Sequence, residues 1–424
     1  MLSRIRSAAI LDASIGRRSS SFRSSLISTP ITRNKVMSSK TDFKQDPHQL
    51  LVIPGPIEVT DEVLYANAHP SVSHMSAKFA AVFGESIRMT REVVRTTTAQ
   101  PFLISGSGTL GWDQVSANLV EPGENALVLN AGYFGDGIAD CLQTYGAQVD
   151  QLHADFGGTV DIAQVEQALR SKKYKVVTIT HVDTSTGVLS DPQPVADAVK
   201  RVSPETLVVL DAVCAVASEE IRMDDWGIDV VISASQKGLG APPGLSIVIA
   251  SEKAMKVFDA RSKPVSAFYA SWKRWLPIMK AYEGRSAAYF ATPPVNLIHA
   301  YHESLSQITK ASPSLDERLK LHRETSSRIK LAAKELGLSQ LPVHPEIAAN
   351  GMTALWCPDG VKSSELLPAF LQKGVVVAGG LGTRKENYFR IGHMGITAIN
   401  PERGDVDRIV NVLREVISAA TSKR

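Results

Sequence analysis

Thr206-Leu-Val-Val-Leu-Asp211-Ala-Val213 and, further on, Asp229-Val-Val-Ile-Ser-Ala-Ser-Gln-Lys237-Gly238 decide how this chain folds. Each is a Val/Ile/Leu run without polar alternation that ends in polar residues. Runs of the same texture stand at 101–105, 125–130, 175–182 and 245–250. Strands written this way are buried on both faces, as in a mostly parallel sheet covered by helices. Helical patterns lie between them, for example at 162–171 and 193–202. The alternation predicts a doubly wound α/β domain over about residues 60–305. Beyond about residue 310 the texture changes. A charged helix pattern at 316–336, short apolar runs at 352–357, 375–378 and 388–391, and an amphipathic helix at 406–419 predict a smaller α+β domain over 306–424. Residues 41–59 then form an N-terminal arm.

Composition excludes several classes. The chain has 424 residues, 44% apolar and 21% charged, ordinary globular usage. It has no run of about 18 apolar residues, so no membrane helix is expected. Cys141, Cys214 and Cys357 are too few and too scattered for a disulfide framework or a zinc site, and no metal is expected. The net charge of +3 divides unevenly: residues 1–40 hold eight Lys/Arg and one acid, while the other 384 hold 38 Lys/Arg and 42 Asp/Glu. The body therefore offers no electrostatic case for nucleic acid as a ligand.

The basic excess belongs to a leader. Arg4, Arg6, Arg17, Arg18, Arg23 and Arg33 stand among many serines, and Leu2, Ile5, Ala9 and Ile10 form one apolar helical face. Arg- and Ser-rich, acid-poor amphipathic segments are mitochondrial transit peptides in character. Met37 offers a second start that omits the leader and would leave a cytosolic or peroxisomal form; the chain ends Ser-Lys-Arg, a weak match to a peroxisomal Ser-Lys-Leu address because Arg stands in place of its apolar last residue.

Gly106, Gly108 and Gly111 satisfy G-x-G-x-x-G after a strand and before a helix. A dinucleotide site also needs an acid about 20 residues on, at the end of the next strand. Here that strand ends Leu129-Asn130-Ala131-Gly132. The loop is therefore read as a phosphate cradle, with glycines admitting the oxygens and a helix end supplying N–H groups. The hydroxyls of Ser107 and Thr109 suit a phosphate monoester. Ligands in open α/β sheets bind beyond the carboxyl ends of strands, which places Asp211 and Lys237 on one crevice. A lysine followed by glycine at the end of a buried strand suits Schiff-base chemistry, since desolvation yields a usable amine. An aspartate facing a pyridine nitrogen keeps it protonated as an electron sink. The set has a place for each part of pyridoxal 5'-phosphate (PLP).

Pro54-Gly55-Pro56, Ser105-Gly106-Ser107-Gly108-Thr109, Ser185-Thr186-Gly187, Asp211-Ala212-Val213, Ser235-Gln236-Lys237, Ala241-Pro242-Pro243-Gly244 and Arg390-Ile391-Gly392, taken in order, resemble the class V aminotransferases. The stretch from Gly106 to Asp113 is similar to that of the family's fungal alanine–glyoxylate members. The resemblance spans about residues 50–415 and implies a fold-type-I PLP enzyme acting as a homodimer on small amino and keto acids. It implies transfer from alanine to glyoxylate, with serine–pyruvate or serine–glyoxylate exchange as the alternative. A non-catalytic NAD- or phosphate-binding module is the reading from another class. By the same resemblance Lys237 carries the cofactor and Asp211 faces the ring nitrogen. Val213 and Phe134 pack on the two ring faces, Thr184 sits near the ring hydroxyl, and Ser107, Gly108, Thr109 and Gln236 hold the phosphate. Tyr289 and Thr292 reach the partner subunit's phosphate, and Arg390 forks onto the substrate carboxylate. His181 and Cys214 are expected to be packing residues.

Overall fold

The computed structural model describes residues 42–422. The leader, and Lys423 and Arg424 of the C-terminal tripeptide, lie outside the described residues. Seven strands form the central sheet: β1 (Gln100–Ser105), β2 (Asn125–Asn130), β3 (Gln148–His153), β4 (Val176–Thr180), β5 (Leu207–Asp211), β6 (Val230–Ala234) and β7 (Leu245–Ala250). Their spatial order is β1-β7-β6-β5-β4-β2-β3. From β6 across to β3 every pair is parallel, and β7 runs antiparallel to both β6 and β1. Side chains of β4 to β7 are buried along their whole length, which is why their sequences carry no alternation.

Six of these strands coincide with apolar runs in the sequence, and β3 does not. Its residues, Gln-Val-Asp-Gln-Leu-His, are half-exposed. As an edge strand it has a single neighbour, and its faces tolerate the polar residues that hide it from a search for apolar runs.

Helices pack between and over the strands. Those that matter for the site are α1 (Thr109–Leu119) and α2 (Tyr133–Thr144), each entered directly from the end of a strand. In the C-terminal part, α3 (Leu315–Glu335) starts with a reciprocal capping box between Ser314 and Glu317, a motif that satisfies two otherwise unpaired N–H groups. It packs with α4 (Asp405–Ser422) and an antiparallel sheet of β8 (Met352–Trp356), β9 (Ala378–Gly379) and β10 (Tyr388–Gly392), ordered β8-β10-β9. Leu50 and Leu51 pair in parallel with Val375 and Val376 and tie the arm to this region. Two apolar cores result. One lies around the central sheet; the other gathers Leu50, Ile329, Phe370, Phe389, Leu413 and their neighbours. Both sit within one compact unit. Among the described residues no helix is long and apolar enough to cross a membrane.

Candidate active site

Asp211 is the last residue of β5 and sits in register with Ile232 of the parallel neighbour β6. Strand β6 runs on to Ala234, and Ser235, Gln236 and Lys237 follow it off the sheet. Both side chains therefore emerge at the carboxyl edge of adjacent parallel strands. The turn carrying the lysine is held by Ser235, whose hydroxyl donates to Pro242 O (2.6 Å), and by Gly240 N–H donating to Lys237 O (2.7 Å). Lys237 Nζ donates to Pro54 O at 2.7 Å. Gly55 has φ +128°, and a Cβ there would overlap the lysine Cδ. The Pro-Gly-Pro segment thus needs glycine both for its backbone and to let the lysine pass. Burial lowers the Lys237 pKa, and the Arg390 charge pushes the same way. Burial lifts the Asp211 carboxyl to about 6, against the opposing pull of the Val213 N–H.

A cavity of about 150 Å³ opens on these two groups. Ser107, Gly108 and Thr109 line one side of it, at the start of α1, where first-turn N–H groups and the helix dipole favour an anion. Gly108 packs against Val213: a Cβ on it would stand 2.8 Å from a Val213 methyl. Gln236 also lines the cavity, and its buried side-chain carbonyl has no hydrogen-bond partner among the described residues. Phe134 and Val213 supply apolar walls, and Thr184 a hydroxyl. An anion cradle, a desolvated amine, a buried carboxylate and two apolar walls fit a phosphorylated aromatic ring with a basic nitrogen, the shape of PLP. Among the described residues no group of three or more His, Cys, Asp or Glu side chains is placed to hold a metal ion.

Arg390, from β10 in the C-terminal part, reaches the same site. Its Nε donates to Gly379 O (2.8 Å) and its Nη1 to Thr184 O (2.9 Å). It is 9% exposed, and among the described residues no carboxylate forms an ion pair with it. A buried guanidinium held in place by carbonyls alone keeps its charge for an incoming anion. Tyr289 and Thr292 are not brought into the cavity. Tyr289 is 62% exposed, tilted against His74 at 5.3 Å, and Thr292 is exposed as well.

Two side chains that matter here escaped the sequence reading. Trp112 donates its indole N–H to Asp211 Oδ2 at 2.7 Å. Asp183 is fully buried and accepts the Ser185 N–H (2.8 Å) and the Phe134 N–H (3.4 Å), while Ser185 Oγ accepts the Tyr133 N–H (3.1 Å). The Asp183–Ser185 turn thereby holds the end of α2 that presents Phe134. The signal available was an aspartate inside an apolar stretch, His181-Val-Asp183. His181 itself is tied to Ser190 O and Glu220 O, a packing role. Burial pushes the Cys214 thiol up to about 11, which disfavours the thiolate a nucleophile needs.

The fold and the site set a buried lysine, a buried aspartate and an anion cradle at the carboxyl edge of a mostly parallel sheet. The pattern of the aminotransferase class-V family matches residues 58–380, and the chain belongs to that family. It is 41% identical to alanine–glyoxylate aminotransferase 1 of Saccharomyces cerevisiae over 82% of this chain and 93% of that one. It is 31% identical to L-aspartate–glyoxylate aminotransferase of Paracoccus denitrificans, over 81% and 86%. The crystal structure of alanine–glyoxylate aminotransferase from Nostoc sp. superposes with a TM-score of 0.81 at 28% identity, covering 91% of this chain and all of that one.

Proposed function

We propose that this chain transfers the amino group of L-alanine to glyoxylate, giving pyruvate and glycine, with PLP held at Lys237. The observation that carries transamination is the meeting of Lys237 and Asp211 at one cavity, with Arg390, which has no ion pair among the described residues, bonded to the backbone of Thr184 on its lining. The choice of alanine and glyoxylate rests on the 41% identity to the S. cerevisiae protein over most of both chains.

Bound PLP supplies an electron sink for the substrate α-carbon. The protein's own residues do the rest. Ser107, Gly108, Thr109 and Gln236 would hold the phosphate, Phe134 and Val213 the ring faces, and Thr184 would lie near the ring hydroxyl. Asp211 would face the ring nitrogen with a negative charge and so favour its protonated form. Arg390 orients the substrate carboxylate through two parallel N–H bonds. Lys237, with its pKa lowered by burial, supplies the reactive amine. It first holds the cofactor and then moves the proton to and from the substrate α-carbon as general base and acid. A donor–acceptor panel on the purified chain tests this: alanine with glyoxylate should give pyruvate and glycine at the highest kcat/KM, ahead of serine and of aspartate. A higher kcat/KM with serine or aspartate overturns the choice of donor.

The chain is read as a homodimer. Phe268 and Tyr289, 67% and 62% exposed, border a groove of about 940 Å³; solvated aromatic patches of this kind mark protein interfaces. A second copy seated there would explain why Tyr289 and Thr292 face outward, each serving the partner's phosphate. Sedimentation of the full chain should give a dimer, and a fully active monomer refutes it. Mitochondrial targeting by the leader is the proposed location. The full-length chain should enter mitochondria and a form starting at Met37 should not; entry of the shorter form refutes the leader reading, and its collection in peroxisomes would assign that role to the C-terminal tripeptide.

A further inference from the structure

We propose that Trp112 is the positioning residue for Asp211, fixing the carboxylate that faces the ring nitrogen while leaving its charge free, and that the same indole braces Phe134. The proposal rests on the PLP reading above and adds a residue to it.

Asp211 is 4% exposed, and each of its oxygens has one donor: Oδ1 accepts the Val213 N–H at 3.1 Å and Oδ2 the Trp112 indole N–H at 2.7 Å. With one donor the carboxylate would still turn about its terminal torsion. With two it is held in one plane. Both donors are neutral. Lys237, the nearby cation, spends its hydrogen bond on Pro54 O instead, and among the described residues Asp211 has no ion pair. A cationic partner would orient the carboxylate equally well but would neutralise the charge that a protonated ring nitrogen needs. An indole N–H orients without neutralising, and it has no acceptor site with which to compete.

The indole's placement is built. Trp112 is 9% exposed on the inner side of α1. Gly137 of α2 clears its outer edge, since a Cβ there would stand 2.8 Å from Cζ3. Its ring meets Phe134 edge-on, with centroids 6.4 Å apart at 68°. One side chain therefore contacts both the aspartate for the ring nitrogen and the wall for the ring face, and it lines the cavity itself.

The test compares two ligands on the full chain freed of bound cofactor: PLP, and its analogue with C–H in place of the ring nitrogen. The parent should prefer PLP, and Asp211→Asn should abolish the preference. Trp112→Phe keeps an aromatic ring and loses the N–H; Trp112→Leu loses the N–H without risk of overpacking. Both should narrow the preference by about 10- to 100-fold, the size of a hydrogen bond to a charged group. Neither should narrow it further when combined with Asp211→Asn. If both ligands weaken equally in the Trp112 variants, the indole only packs and the proposal fails. If the parent itself binds the two equally, the reading of Asp211 fails, and the proposal with it.

Discussion

Replacing Arg390 by lysine keeps a positive charge at the site and removes its geometry. The guanidinium plane is set by two backbone carbonyls, Gly379 O on Nε and Thr184 O on Nη1. Those bonds use two of its five N–H groups and leave the Nη1–Nη2 edge for a bidentate contact. A lysine has one nitrogen on a flexible stem. It cannot serve both carbonyls and both oxygens of a substrate carboxylate. One hydrogen bond to a charged group contributes about 1.5–3 kcal/mol, so losing a single prong should lower kcat/KM for alanine by about 10- to 150-fold. The assay is single-turnover cofactor absorbance with alanine and with ethylamine, the same amine lacking the carboxylate. The ratio of the two second-order constants should fall by that factor while the ethylamine constant stays within about threefold, because ethylamine never makes the lost contact. Leaving one buried carbonyl unpaired should also cost about 1–3 kcal/mol of stability, read separately in denaturant. An equal loss for alanine and ethylamine would refute the carboxylate role and leave Arg390 as a strut between Gly379 and Thr184.

Lys237→Ala should leave the fold intact, prevent borohydride from trapping PLP on the protein, and lower turnover by at least about 10³-fold, since attachment and proton transfer both need the amine; turnover within tenfold of the parent would dismiss it. Asp211→Asn should retain PLP binding through the phosphate cradle yet lose far more turnover than cofactor, with the ring-nitrogen titration shifted to lower pH; normal turnover with an unshifted titration would reduce Asp211 to a structural residue. His322 should make stability acid-sensitive. Burial drops its pKa from the ordinary 6.5 to about 4. Its Nδ1 donates to Arg318 O (2.6 Å) and its Nε2 accepts the Gly395 N–H (3.0 Å), so the folded ring is neutral. The unfolded chain takes up the proton first, so the stability that His322 contributes is complete above pH 6.5 and is lost as pH falls toward 4. The loss is at most about 3 kcal/mol. Chemical denaturation at a series of pH values should show His322→Gln with a flatter slope in that window, and an unchanged slope would sink the assignment.

What the sequence reveals about this site follows from where each constraint acts. Asp211 and Lys237 end strands that are buried on both faces, so their polarity stands out against apolar neighbours, and parallel adjacency of β5 and β6 brings them together. Ser107 to Thr109 are legible for a similar reason: glycines flanking hydroxyls between a strand and a helix have few other uses. Edge strand β3 is hidden because half of its surface meets solvent and its pattern is polar. Trp112 is hidden differently. An apolar-looking residue on a core-facing helix is read as core, and nothing local says that its N–H points at an aspartate donated by another strand. That contact depends on the glycine at 137 that admits the indole, and on the strand order that sets β5 beside β6, against which α1 packs. Arg390 lies between the extremes. A motif marks it, but its being held by backbone carbonyls, with no ion pair among the described residues, is a property of three segments meeting, β10, β9 and the turn at Thr184. Residues that act through their own chemistry at the end of an element are therefore readable one segment at a time, whereas residues that act by holding another become visible only when the segments meet. By that argument the residues still to be tested for function here are the neutral donors onto Asp211 and Asp183, the buried carboxylate proposed to face the ring nitrogen and the one that holds the end of α2 carrying Phe134.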